Sequence, residues 1–149
     1  MDTNDLYELE RFIQAQTTDF AIALTEINNG EKKSHWMWYI FPQLTGLGYS
    51  AMSQHYAIQS TAEAKAYLNH PVLGPRLIQC MKALLEIDGR SAHEIFGSPD
   101  DMKLRSCASL FAGITPKGSV FECLLEKYFH GERDRKTLDL LKNINKSME

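Results

Sequence analysis

Apolar residues recur along this chain at three- and four-residue steps, the spacing that gathers side chains on one face of a helix. Leu6, Leu9, Phe12 and Ile13 predict a first amphipathic helix over residues 5–15. Thr17 or Thr18 is placed to cap a second, with Phe20, Ala23, Leu24 and Ile27 on one face. It stops at Asn28-Asn29-Gly30, where glycine accepts the left-handed conformation that closes a helix. Ser34 predicts the cap of a short third helix ending before Pro42. Gly46 and Gly48 mark a loop, and residues 50–58 read as another short helix. Thr61 is placed to cap residues 62–69. Pro75 has no N–H and clashes deep inside a helix, so the long helix carrying Leu77, Met81 and Leu84 begins near Gly74-Pro75 and runs to Ile87. Ser91-Ala92-His93-Glu94 fits a capping box. Ser98-Pro99-Asp100-Asp101 offers an N-cap, a first-turn proline and two carboxylates at a positive helix end, ahead of a helix through Phe111. Residues 119–129 read as helix. Asp134 opens a last one through Leu141, with a tail from Asn145 expected to fray.

Composition turns these segments into a fold class. Seventeen leucines stand against two valines. Strands favour β-branched residues, so the balance predicts an all-α protein. At 149 residues the expectation is a single compact domain of eight to nine helices. Hydrophobic residues at 44% and charged residues at 23% exclude a disordered, collagen-like or disulfide-scaffold chain. A net charge of -3 without a basic stripe excludes nucleic acid as a partner. The longest apolar run, Trp36 to Pro42, is far short of the roughly 20 residues that span a bilayer. The acidic start lacks the apolar core of a signal peptide. Cys80, Cys107 and Cys123 are odd in number, form no C-x-x-C and sit among apolar residues. They read as buried thiols of a reduced, cytoplasmic protein.

Candidate chemistry concentrates in one stretch, Lys32 to Gln43, which holds both tryptophans. A helix apolar on all sides is a buried one, so this segment is expected to be the central aromatic helix of the core. Indole and phenol faces also stack planar rings, so part of it is expected to line a pocket. Helical spacing would put His35, Trp38 and Tyr39 on one side and Trp36 with Ile40 on another. In that reading Trp38 or Tyr39 stacks a ring, Lys33 and Lys103 offset phosphate charge, Gln43 orients the ligand and His35 moves a proton. No two histidines are three or four residues apart, so no helical pair of metal ligands exists, and no metal or cofactor is expected. Nucleotide-loop, nucleophile-elbow and zinc-protease motifs are missing. Gly46-Leu47-Gly48 is too short to read as a phosphate cradle, and Arg133-Asp134-Arg135-Lys136 reads as a solvated helix start.

The wording of that stretch, Ser34-His35-Trp36-Met37-Trp38-Tyr39-Ile40-Phe41-Pro42-Gln43, resembles the signature of the uncharacterised family called domain of unknown function 1810. Arg11-Phe12-Ile13-Gln14-Ala15-Gln16, His70-Pro71-Val72-Leu73-Gly74-Pro75-Arg76-Leu77 and Ile95-Phe96-Gly97-Ser98-Pro99-Asp100-Asp101-Met102-Lys103-Leu104 extend the likeness over nearly the whole chain. The resemblance implies a mainly helical single domain and supplies no reaction. Some members carry the label calpastatin, but that inhibitor works through flexible repeats, whereas this chain is Leu-rich and free of repeats. Cys107-Ala108-Ser109 departs from the family pattern, in which Ser-Met-Thr precedes Leu-Phe. If that stretch lines a site, specificity differs here.

Two function classes remain. One is a domain that binds, and in one version processes, a small nucleotide-like metabolite beside the aromatic segment. The other is a non-catalytic interaction or dimerisation module whose aromatic helix is only core. Monomer and homodimer are both compatible with the sequence.

Overall fold

The computed structural model describes residues 5–147; residues 1–4 of the acidic start and 148–149 of the tail lie outside the described residues. Among the described residues nine helices follow one another: α1 (Glu10–Asn28), α2 (Met37–Ile40), α3 (Ala51–His55), α4 (Thr61–Asn69), α5 (Leu73–Leu85), α6 (Ala92–Phe96), α7 (Asp100–Ala112), α8 (Val120–Phe129) and α9 (Arg135–Ser147). The all-α expectation holds. The only strand-like pairing among the described residues is a parallel bridge between Leu44 and Ile58.

The most deeply enclosed helix is α7, whose residues from Ser106 through Ala112 are all buried. Around it pack α6, α8 and α9, while α5 joins α8 to α1 and α4. Phe12, Phe41, Phe111 and Tyr67 are fully enclosed between these helices. Each such side chain contributes on the order of 1.5–3 kcal/mol.

Several boundaries differ from those the sequence predicts. The first two predicted helices are one, α1. Thr17 is no cap, because its hydroxyl donates back to the Ile13 carbonyl at 2.8 Å, as a threonine inside a helix does. The start of α1 is held by Asp5, whose carboxylate accepts from the N–H groups of Leu9 and Glu10. Ser60, not Thr61, caps α4. Pro99 occupies the N-cap of α7, which has no side-chain cap, so the predicted Ser98 cap does not form. α3 stops at His55 because Ile58 is drawn into the bridge with Leu44. Residues 145–147, expected to fray, continue α9. The capping box at Ser91 and Glu94 forms in both directions.

The aromatic segment is core, as expected, but its helix is a single turn. Glu26, near the end of α1, explains why. Its carboxylate accepts the N–H groups of Lys33 and Ser34 at 2.7 and 2.9 Å, the Ser34 hydroxyl at 2.5 Å and the Trp36 indole N–H at 2.9 Å. Ser34 is thus bound elsewhere and cannot cap, and Pro42 prevents extension at the other end. Trp36 and Phe41 are driven fully inside against Phe96, with ring centroids 6.3 and 5.9 Å from it. Desolvation pushes the Glu26 carboxyl upward, but the Ser34 hydroxyl, the two backbone N–H groups and the indole outweigh it, bringing it from 4.5 to about 2. Gln16, buried in mid-α1, donates to the Tyr39 carbonyl at 2.7 Å and to the Tyr67 hydroxyl at 3.1 Å, and its carbonyl accepts from Arg76. One amide thereby ties α1 to α2, α4 and α5.

Two expected outcomes follow from this packing. A methyl group on Gly74 would stand 2.0 Å from the Leu68 carbonyl oxygen, so the α4–α5 approach admits only glycine. Gly74→Ala is expected to cost about 1–3 kcal/mol or more in urea unfolding, against about 0.5 kcal/mol or less for Gln79→Ala on the exposed face of the same helix. Equal midpoints for the two variants would contradict the close approach. For Glu26, the folded-state value lies below the ordinary one. Its contribution is therefore fully present above pH 4.5 and is lost as pH falls toward 2. Glu26→Gln is expected to be less stable than the parent at pH 7, with the gap narrowing between pH 5 and pH 2.5. A gap that is constant with pH would show that the charged carboxylate does not hold the four donors.

Candidate functional site

Trp38 lies two residues beyond the indole that Glu26 anchors, and it is only half-buried. With Gln43 it lines a cavity of about 380 Å³. The rest of the lining comes from the loop after Gln43 and from α3 and its exit, including Thr45, Tyr49, Ser53, Gln54, Tyr56 and Gln59. Two backbone hydrogen bonds hold these segments together: Thr45 N–H to the Ile58 carbonyl at 2.8 Å, and Ile58 N–H to the Gln43 carbonyl at 2.9 Å. Gly48 comes so close to α3 that a methyl there would meet the Ser53 hydroxyl oxygen at 2.6 Å. Tyr56 is backed by the Tyr39 ring, edge-on at 5.2 Å.

A second cavity of about 320 Å³ shares Gln43 and Gly48 with the first. Its other lining residues include Lys103 and Ser106 of α7 together with Asp134 and Lys136 at the start of α9. The Lys103 ammonium stands 5.3 Å from the centre of the Trp38 ring and 3.5 Å from an Asp100 carboxylate oxygen. The other oxygen of Asp100 holds Lys32 at 2.8 Å, and Lys32 in turn lies 5.1 Å from the Trp36 ring. Asp100 therefore seats one lysine over each tryptophan, attaching the aromatic turn to the start of α7.

Of the six residues singled out in the sequence, the structure brings three together: Trp38, Gln43 and Lys103. Lys33 and His35 are exposed and line neither cavity. Tyr39 is buried behind Tyr56, its hydroxyl donating to Asp19, and burial together with Asp19 holds that phenol above its ordinary range. The expected face of His35, Trp38 and Tyr39 does not form, because α2 begins only at Met37. Tyr49, Tyr56 and Lys136 escape sequence reasoning. They belong to segments that read as a loop, a short helix and a solvated helix start, and only the Leu44–Ile58 pairing and the seat of α9 bring them here. The glycines at 46 and 48 were the one local signal of close packing.

Other polar clusters are committed to structure. Arg11 donates to the carbonyls of Tyr7, Glu8, His55 and Ala57 and pairs with buried Glu63 at 2.7 Å, so the open hollow of about 520 Å³ beside it presents a satisfied guanidinium. Cys80 and Cys107 are buried as expected. Burial raises the Cys80 thiol to about 12, and Cys107 is also raised by burial. Cys123, in contrast, is exposed, because it lies on the outer face of α8 between buried Phe121 and Leu124. Cys107-Ala108-Ser109 is core and lines neither cavity, so the departure from the family pattern there falls in the packing. Among the described residues, no group of three or more His, Cys, Asp or Glu is placed to hold a metal ion. No helix among them is long and apolar enough to cross a membrane.

Comparison with known proteins places this geometry. A solved structure, that of the conserved hypothetical protein Rv1873 from Mycobacterium tuberculosis, is similar with a TM-score of 0.91 and 46% sequence identity, over 93% of this chain and 99% of that one. No curated protein matches. The family model described as "Protein of unknown function (DUF1810)" matches residues 6–141, and with that span and that neighbour the chain belongs to the DUF1810 family.

Proposed function

We propose that this protein binds a small, planar, nucleotide-like metabolite in the cavity beside Trp38. The observation that carries the reading is that Lys103 of α7 meets Trp38 and Gln43 of the aromatic segment at two neighbouring cavities that share Gln43 and Gly48. An indole half-open to solvent offers a stacking face. Gln43, Gln54 and Gln59 each present both a donor and an acceptor to the edge of a ring. Lys103 adds positive charge within reach of a substituent on that ring. Trp38 stacks, Gln43 orients and Lys103 offsets negative charge. The setting proposed is a reducing cytoplasm, in keeping with three free thiols.

Titration with nucleosides and nucleotides is expected to quench Trp38 fluorescence and raise the melting temperature, since a ligand bound only to the folded state stabilises it. Trp38→Ala is expected to weaken binding by about tenfold or more, because stacking on an aromatic ring is worth about 1–3 kcal/mol. His35→Ala should bind like the parent. Unchanged melting and fluorescence across a panel at millimolar concentration would remove this reading and leave the interaction module.

A further inference from the structure

The second cavity does not need Trp38 to explain it, and its chemistry differs from that of the first. Where the first is lined by aromatic, amide and hydroxyl groups, the second carries two ammonium groups from different helices, Lys103 of α7 and Lys136 of α9. Each ammonium lies near the centre of a ring that lines the first cavity: Lys103 at 5.3 Å from Trp38, Lys136 at 5.7 Å from Tyr49. The two compartments are therefore neighbours, with Gln43 and Gly48 in both linings and an ammonium of the second set against a ring of the first at two places. Two carboxylates stand nearby, and one of them, Asp134, lines the same cavity, so its two lysines outnumber its carboxylate by one. Asp100 holds Lys32 and Lys103, and Asp134 accepts the N–H and hydroxyl of Thr137 at 2.9 and 2.6 Å. Among the described residues, no carboxylate lies within ion-pair distance of Lys136.

We infer that the second cavity is the anion half of the site: it takes the phosphates of a nucleoside diphosphate between Lys103 and Lys136, with the base of the same molecule against Trp38. The inference rests on the binding reading above and adds its substrate class and the residue that selects it. Lys136 determines specificity for the phosphorylated ligand. Two lysines facing a compartment of about 320 Å³ suit a diphosphate, whose charge is spread over two linked groups, better than a single compact anion.

The test is calorimetric titration of the full chain with adenosine, guanosine, cytidine and uridine and with their 5′-diphosphates, at two salt concentrations. At least one diphosphate is expected to bind about tenfold or more tightly than its nucleoside, since a hydrogen bond to a charged group contributes about 1.5–3 kcal/mol. Its affinity should fall as salt rises, while that of the nucleoside stays level. Lys136→Met, at an exposed position that leaves the core intact, is expected to weaken diphosphate binding by about tenfold and to leave nucleoside binding unchanged. Lys136→Arg should restore most of the loss, which a purely structural role for the side chain would not produce. Nucleoside and diphosphate binding equally, or Lys136→Met lowering both alike, would overturn the inference while leaving the Trp38 reading in place. Binding of neither would overturn both.

Discussion

The carboxylate of Glu26 is the constraint on which the rest of the molecule depends. The chain must leave α1, turn back and enter the core within eight residues, carrying two tryptophans with it. Backbone N–H groups in such a turn have no helical partners, and one that is buried and left unpaired costs about 1–3 kcal/mol. Glu26 takes two of them, a hydroxyl and an indole N–H. That single anchor fixes the depth of Trp36. It follows that Trp38, two residues on, has its ring where α7 ends its first turn and α3 leaves space.

The aromatic segment divides its labour along its length. Trp36, Met37, Ile40 and Phe41 are packing. Trp38 is wall, and Tyr39 is support for a wall, since its ring holds Tyr56 from behind. Core packing and cavity lining thus fall to different residues of one segment. Asp100 makes the division durable. By seating Lys32 near Trp36 and Lys103 near Trp38, it couples the position of α7 to that of both indoles. A shift of α7 would break a buried ion pair in which Lys32 is only 8% exposed, and an uncompensated buried ammonium is strongly unfavourable.

What was legible in the sequence was whatever is decided locally. The excess of leucine over valine gives the helical class, and Ser91 with Glu94 gives a capping box that forms as written. The errors occur where a tertiary partner outbids a local preference. Thr17 could cap but bonds its own helix, and Ser34 could cap but is taken by Glu26. The same distinction runs through the site. Trp38, Gln43 and Lys103, which line the two cavities, stand out in the sequence because their residue types are unusual where they occur. His35 and Lys33 are equally unusual, yet a one-turn helix that starts after them leaves them in solvent. Tyr49, Tyr56 and Lys136 are unremarkable in their own segments, and they reach the cavities only through a bridge between Leu44 and Ile58 and the seat of α9, which no periodicity announces.

The lining of the first cavity bears on what kind of ligand such a site can select. Three glutamines are in its lining, and a glutamine amide both donates and accepts, with Gln54 already giving one N–H to the Tyr49 carbonyl. A ring that meets only their donors leaves carbonyl oxygens unpaired, and one that meets only their acceptors leaves N–H groups unpaired. Either mismatch, in a space closed from water by the ligand itself, is the situation in which sites built to hydrogen-bond reject near-isosteres most strongly. Stacking on Trp38 is tolerant by comparison, since every aromatic ring has a face to offer. On the proposed reading, the indole would supply affinity for planar molecules as a class, and the amides the choice among them. Two backbone hydrogen bonds hold the segment of Gln43 beside that of Gln59, so the backbone that carries those two amides is in place before any ligand arrives.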